Sequence, residues 1–339
     1  MRISVDLAIP VLAPIARFLT ANQARVAMFH RLSPLPAFRR IPIASFEQRI
    51  RYISENYNVV SLFELVRRLQ GDESIHKCVA ITFDDGHKDF LDCAYEILKK
   101  YNVPVTVYLV SDFVNQRTWL WSDAIHWMVS VARAGNYRFQ AESVMVDAQI
   151  DDQESRNVLW ERLADRCLPM TVGDRAQTLD EIARELRVRL PSLPVREYAS
   201  MTWDDLRSMD PTLVHFGAHT RSHPILSKCT FDEQFDEINQ CRATIESELQ
   251  RNIDAFCYPN GRYSDFNEVT MGILRQSGFR SAVTSEGGLI EADSNPFMLP
   301  RIGAGDNPSE FRAQLDGMLH IRKRLRGSNG SALSQISIS

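Results

Sequence analysis

"ITFDDG", residues 81–86, sets two adjacent carboxylates at the end of an apolar run and closes the run with a glycine. The preceding Cys78-Val79-Ala80-Ile81-Thr82-Phe83 is rich in β-formers, and Lys99-Lys100 close the helix-like stretch that follows. Asp84 and Asp85 therefore sit at the carboxyl end of a strand, entering a turn. In α/β proteins that edge is where ligands bind. Asp and Gly also favour turns and helix caps on their own account, and the tripeptide alone leaves both readings open.

Working outward, Val26-Ala27-Met28-Phe29 reads as a strand ending in His30-Arg31, and Ser45 with Gln48 reads as a capping box for a helix to about Tyr57. A helix over about 89–101 and a strand 105–110 follow the Asp-Asp strand, giving the β-α-β alternation of a parallel sheet or barrel. The rhythm breaks at about 117–200, where Trp119, Trp121, Trp127 and Trp160 accompany helical periodicity over 122–134, 153–166 and 177–189. That stretch reads as a helical insertion. The alternation resumes with a short helix at 202–209, a strand 214–218, a helix capped by Thr230 and Glu233, and strands at 256–258, 281–284 and 298–302. A last helix covers about 308–324, and the small, polar tail 325–339 reads as disordered.

The 339 residues suffice for a large core. The net charge of −4 argues against nucleic acid as a partner, since phosphate binding wants a basic face. Six scattered cysteines without CxxC pairs read as free thiols in a reducing compartment. Residues 1–23 carry an apolar segment broken by Asp6, Pro10 and Pro14, too short to span a bilayer. It reads as an amphipathic helix lying on the protein or on a membrane surface. The expected location is cytoplasmic or membrane-peripheral; oligomeric state is not legible.

The second signal is "GAHTRSHP", 217–224, again just after an apolar strand. His219 and His223 stand four apart, a spacing that lets both imidazoles meet one ion, although two polar loop histidines give the same pattern. Asp85 from another strand end would complete a His₂Asp set with an open fourth position, the form of a catalytic metal site. The cation would then screen the repulsion between Asp85 and Asp84 and leave Asp84 free as a general base. Such donors suit Zn2+ first, with Co2+ or Ni2+ also fitting.

TFDDG at 82–86, HTRSH at 219–223 and CYPNG at 257–261 together resemble, in order, the motifs of the polysaccharide deacetylase family (NodB homology, carbohydrate esterase family 4), over about 24–116 and 200–305. The resemblance implies a distorted (β/α) barrel over 24–324, Asp84 as base, and Asp85, His219 and His223 as metal ligands. It implies hydrolysis of N-acetyl groups on a carbohydrate, in surface or exopolysaccharide biosynthesis. It also implies that the backbone N–H of Asn260, after Pro259, binds the oxyanion. Where many members place an arginine that orients the aspartate, Cys257 stands here. Arg301 in "LPRI" is the nearest substitute, or else a surface arginine beside a turn. A late leucine-x-histidine acid is missing too, but "MFHRL" at 28–32 is similar to the first-strand element of the poly-N-acetylglucosamine deacetylase branch, which makes His30 the candidate acid. Its position would be across the acetyl carbon from Asp84. Trp119 and Trp121 are candidates for stacking on sugar rings, while Trp127 and Trp160 read as core. A non-sugar amidase and a catalytically silent carbohydrate-binding module are the alternatives.

Overall fold

The computed structural model describes residues 5–141, 144–305 and 307–322. Helix α1 (Val5–Leu19) leads into β1 (Arg25–Phe29); the short pair β2 (Leu32–Ser33) and β3 (Ile41–Pro42) precedes α2 (Ile43–Asn56), β4 (Asn58–Val59) and α3 (Leu62–Gln70). The quoted run forms β5 (Cys78–Phe83), and a π-helical turn with α4 (Tyr95–Lys100) returns the chain to β6 (Val105–Leu109) and α5 (Ser111–Val114). Then come α6 (Trp121–Val131), the hairpin β7 (Gly135–Ala141) and β8 (Val144–Ile150), α7 (Gln153–Cys167) and α8 (Val172–Glu185). The remainder is α9 (Trp203–Arg207), β9 (Val214–Ala218), α10 (Phe231–Leu249), β10 (Ala255–Cys257), α11 (Glu268–Gln276), β11 (Ser281–Val283), β12 (Ile302–Gly303) and α12 (Pro308–Leu315).

The main sheet runs β11-β10-β9-β6-β5-β1-β12, with β4 paired to β5, and its pairings are parallel. Leu299, just before β12, bridges to Val283 of β11, so one short segment joins the two ends of the sheet into a curled, barrel-like whole. Period-2 alternation sorts the side chains. Val79, Ile81 and Phe83 of β5 join Ala27, Phe29, Val105, Val107, Val214 and Phe216 in the layer under the helices. Cys78 and Ala80 join Val26, Tyr108, Cys257, Val283 and Leu299 in a separate interior cluster. The same alternation carries Thr82 and Asp84 to the interior and sends Asp85 the other way. Both faces being buried explains why β5 reads as a continuous apolar run.

Three expectations need correction. The 117–200 excursion is not purely helical: it contains the β7–β8 hairpin, in which Arg138 pairs with Asp147 at 2.8 Å across the register. The alternation of Tyr137 and Phe139 with polar residues was the strand signal there. Helix α2 begins before Ser45, after Pro42, with no side-chain cap; Ser45 Oγ instead accepts from Arg49 at 3.2 Å. The strand expected at 298–302 shrinks to Ile302–Gly303. By contrast, Thr230 and Glu233 do form the reciprocal cap of α10. The tail 325–339 lies outside the described residues.

Candidate active site

Because the strands are parallel, their carboxyl ends share one rim, and His30, Asp84–Asp85 and His219 follow β1, β5 and β9 there. Arg301 comes from below. It precedes β12, is 1% exposed, and sends its long side chain up through the barrel interior. Its two terminal nitrogens donate to Asp84 Oδ1 at 2.6 Å and Oδ2 at 2.8 Å, while Nε donates to the Thr284 carbonyl at 2.7 Å. This planar two-point clamp fixes the Asp84 carboxylate. Burial alone would raise the Asp84 pKa, but Arg301, then His30, outweigh it and hold the carboxyl below its ordinary value. Burial likewise opposes the Arg301 charge and Asp84 overcomes it, leaving the guanidinium firmly protonated. The Cys257 thiol, 3.2 Å from an Arg301 nitrogen and 3.6 Å from Asp84 Oδ2, is pushed well up by burial and stays neutral.

Asp85 faces the other way, at φ 74°, and Gly86 completes the turn at φ 88°. A Cβ on Gly86 would stand 2.9 Å from Leu109, so only glycine fits there. His219 Nε2 and His223 Nε2 lie 3.5 and 3.7 Å from Asp85 Oδ1, and their rings are 4.8 Å apart. His219 Nδ1 is 2.7 Å from the Cys257 carbonyl, which makes it the N–H donor and leaves Nε2 with its lone pair toward Asp85. Ligand atoms of Asp85, His219 and His223 all lie within 4.8 Å of one another. Those 3.5 and 3.7 Å gaps are too long for good hydrogen bonds. A tetrahedral ion about 2.0–2.2 Å from each atom would separate them by about 3.3–3.6 Å. The donor set and its spacing therefore fit a divalent cation.

Burial first, then the neighbouring imidazole, pushes the pKa of His223 down to about 3, and burial lowers His219 as well. Both rings are thus neutral and ligand-ready at neutral pH. Burial would raise Asp85, but the His87 contact and the surrounding imidazoles keep it well below the carboxylate range. Thr220, His223 and Asn260 share positive φ values of 65°, 63° and 62°. Such strain, costly for a β-branched threonine, is typical of sites where geometry serves chemistry. Glu237 of α10 holds the histidine loop by accepting from Ser222 N at 2.8 Å and Ser222 Oγ at 2.7 Å.

His30 is half exposed and lies 3.3 Å from Asp84 Oδ2, so it stands beside the carboxylate rather than across an acetyl carbon from it. The rim opens into a cleft of about 740 Å³ that also exposes Asn260, Trp121, His126, Trp160 and Tyr198. The insertion thereby forms one wall of the cleft. Trp119 does not belong to it: the ring is 9% exposed, packs against Tyr198 and Trp127, and its N–H donates to the Pro191 carbonyl. Trp160, read from sequence as core, is buried in the insertion's apolar cluster and also reaches the cleft wall, with Arg39 over its ring at 4.8 Å. Pro259 contributes the turn before Asn260 and is not among the cleft-lining residues. His215 lies near the amino end of β9, lining a separate cavity, and cannot serve this site.

From sequence, His87 after the Asp-Asp-Gly turn could line the site but read as partly exposed; it does line the cleft and is buried, and its partner Asp123 was missed. His87 Nε2 sits 3.6 Å from Asp85 Oδ2 and 3.4 Å from Asp123 Oδ2, tying a candidate ligand to the insertion's first helix. Arg31 extends the chain of charges, 2.7 Å from Asp89 and 3.3 Å from Asp123. Only the adjacency of Arg31 to His30 and of His87 to Gly86 hinted at this.

A barrel-like parallel sheet whose rim carries a clamped carboxylate beside a His₂Asp cluster defines a hydrolase of the deacetylase type. The polysaccharide deacetylase family model matches residues 71–141 and 173–282, more than half of the chain, and the chain belongs to that family. It is a carbohydrate deacetylase of the NodB-homology, carbohydrate esterase family 4 kind, acting on an acetylated carbohydrate. The gap in the match falls within the insertion. The Streptococcus pyogenes deacetylase PplD, solved in complex with acetate, shares the fold at 20% identity and TM-score 0.58, over 86% of this chain and 98% of that one. IcaB from Ammonifex degensii aligns at 17% identity and TM-score 0.57, over 87% and 97%. YxkH of Bacillus subtilis is 20% identical over 297 residues, 86% of this chain and 76% of its own length.

Proposed function

We propose that the cleft binds an N-acetylated glycan and hydrolyses its acetamide with a divalent ion, zinc by donor type, held by Asp85, His219 and His223, in surface or exopolysaccharide biosynthesis. The observation that carries this reading is the Arg301-clamped Asp84 set against the Asp85–His219–His223 cluster. When bound, the ion supplies Lewis-acid polarisation of the acetyl carbonyl and acidification of the attacking water.

The chain's own residues do the rest. Asp84 accepts a proton from the water as the new C–O bond forms. Protonated His30 donates a proton to the nitrogen as the C–N bond breaks, because an amine leaves poorly otherwise. Acetate and a free amino sugar result. The 3.3 Å between His30 Nε2 and Asp84 Oδ2 then lets the proton held by Asp84 pass to His30, which resets both groups. Arg301 orients Asp84, and the strained turn at Asn260 offers a backbone N–H for the oxyanion. Trp121 and Trp160 line the cleft wall on the insertion side, each with an arginine, Arg175 and Arg39, over one face of its ring. Arg301 fills the place that Cys257 vacates, which weakens the case for a silent binding module.

Acetate release from a panel of N-acetylated glycans, before and after chelation, tests the reading. Release that survives exhaustive chelation, or release only from non-sugar amides, overturns it. The His30 role has a sharper test. His30→Ala is expected to slow an N-acetyl substrate about 10²-fold or more, with metal content unchanged. An activated acetyl ester, whose leaving group needs little protonation, should slow far less. An equal loss on both substrates would make His30 structural.

A further inference from the structure

Both ends of the insertion hold the turn that carries Asp85. Where the insertion returns to the barrel, Met201 N donates to the Gly86 carbonyl at 2.9 Å, and Lys88 N donates to the Ala199 carbonyl at 2.9 Å. Those bonds fix the backbone of the turn. The side chain is held from α6, the insertion's first helix. Asp85 divides its two oxygens: Oδ1 faces His219 and His223, and Oδ2 faces His87 Nε2. The same Nε2 faces Asp123 Oδ2 at 3.4 Å. Two acceptors around one ring nitrogen make Nε2 the N–H bearer. His87 Nδ1 has no hydrogen-bond partner among the described residues, and the ring packs edge to face on Phe113. The polar attachment of this buried imidazole is therefore at Nε2, shared between a candidate metal ligand and the insertion.

Asp123 is itself held. It stands in the first turn of α6, where a carboxylate suits the helix N-terminus. Arg31 lies 3.3 Å from its Oδ2 and 2.7 Å from Asp89, and donates to the Glu197 carbonyl at 2.6 Å. The row Asp89–Arg31–Asp123–His87–Asp85 thus reaches from the barrel through the insertion to the ligand. A carboxylate whose second oxygen is held presents the first in one orientation. It then loses less freedom when it takes an ion.

We propose that Asp123 is a positioning residue for the metal centre: through His87 it orients Asp85, so that the insertion sets how tightly the ion is held. The inference rests on the Asp85–His219–His223 metal reading above. Trp121, two residues before Asp123 on the same helix, lines the cleft, so one element serves both the cleft wall and the ion.

Chelator competition on the full chain measures the Zn2+ dissociation constant of the wild type, Asp123→Asn, His87→Phe and the double variant. Both replacements stay close to the original side-chain volume, and the melting temperature of each metal-free protein reports separately on folding. Each single variant should weaken Zn2+ binding about 10–100-fold, the usual cost of losing an outer partner of a ligand. The double variant should bind within about twofold of the weaker single one, because Asp123 acts through His87. Asp123→Asn that binds Zn2+ within about twofold of the wild type, whatever its metal-free melting temperature, overturns the proposal and leaves Asp123 a tether of the insertion. So does a double variant that loses the product of the two single factors, since Asp123 would then act on the ion through space. A wild type that binds no Zn2+ is a different failure: it overturns the metal reading, and this inference with it.

Discussion

Asp84→Asn is expected to lower kcat about 10²–10⁴-fold on an N-acetylated substrate, the usual cost of removing a general base, while the protein keeps its metal. Asparagine fills the same volume but cannot take the water's proton. The substitution also breaks half of a buried clamp. Arg301 is 1% exposed and both of its terminal nitrogens donate to Asp84, so a neutral partner leaves a buried charge poorly compensated. Breaking such a pair commonly costs about 3–5 kcal/mol, and a lowered melting temperature should accompany the lost turnover. Metal content per folded chain separates the two effects. The wild-type pH profile supplies a second check. Arg301 and His30 hold the Asp84 carboxyl below its ordinary value despite burial, so the base form persists as pH falls toward that depressed pKa. The acid limb that Asp84 contributes to kcat/KM should therefore lie below about pH 4. If Asp84→Asn strips the metal and Asp85→Asn retains it, the two aspartates have exchanged roles.

How far sequence could go is clearest at the two aspartates. The apolar run already placed both carboxylates at a strand's carboxyl end, and β9 with its histidine loop fell where the apolar runs said it would. Local signals sufficed because strand ends, turn glycines and the Thr230 cap are encoded within a few residues. Arg301 was legible only as one of two options. Its partnership with Asp84 spans 217 positions and depends on a side chain threading the barrel interior, which no local pattern encodes. The contact of His87 with Asp123 escaped for the same reason, as they meet only when the insertion folds back over the rim. Trp119 failed differently. Trp119 and Trp160 have similar exposure, and which of them faces the cleft depends on how α6 and α7 pack, not on distance along the chain from a strand end.

The metal ligands admit a test that separates two overlapping clusters. Ligand atoms of Asp84, His219 and Cys257 also lie within 4.8 Å of one another, so His219→Ala would deplete either site and cannot tell them apart. His223 belongs only to the Asp85 cluster, and Cys257 only to the other. His223→Ala is therefore expected to weaken metal binding by more than about 100-fold, since losing even an outer partner of a ligand costs about 10–100-fold. Turnover should fall with it. Cys257→Ser should leave metal content unchanged, because burial keeps the thiol protonated and the Arg301 guanidinium beside it repels a cation. Elemental analysis of both purified variants measures the difference directly. The pH dependence follows from the same environment. Burial and the His219 ring put the His223 pKa at about 3, far under the ordinary histidine value, so protons do not compete for that ring until strongly acid pH. Metal occupancy should accordingly stay flat from neutral pH down to about pH 5, where an ordinary histidine site would already be losing its ion. Metal that persists in His223→Ala and vanishes in Cys257→Ser would move the site to the interior cluster and take Asp84 out of the role of base.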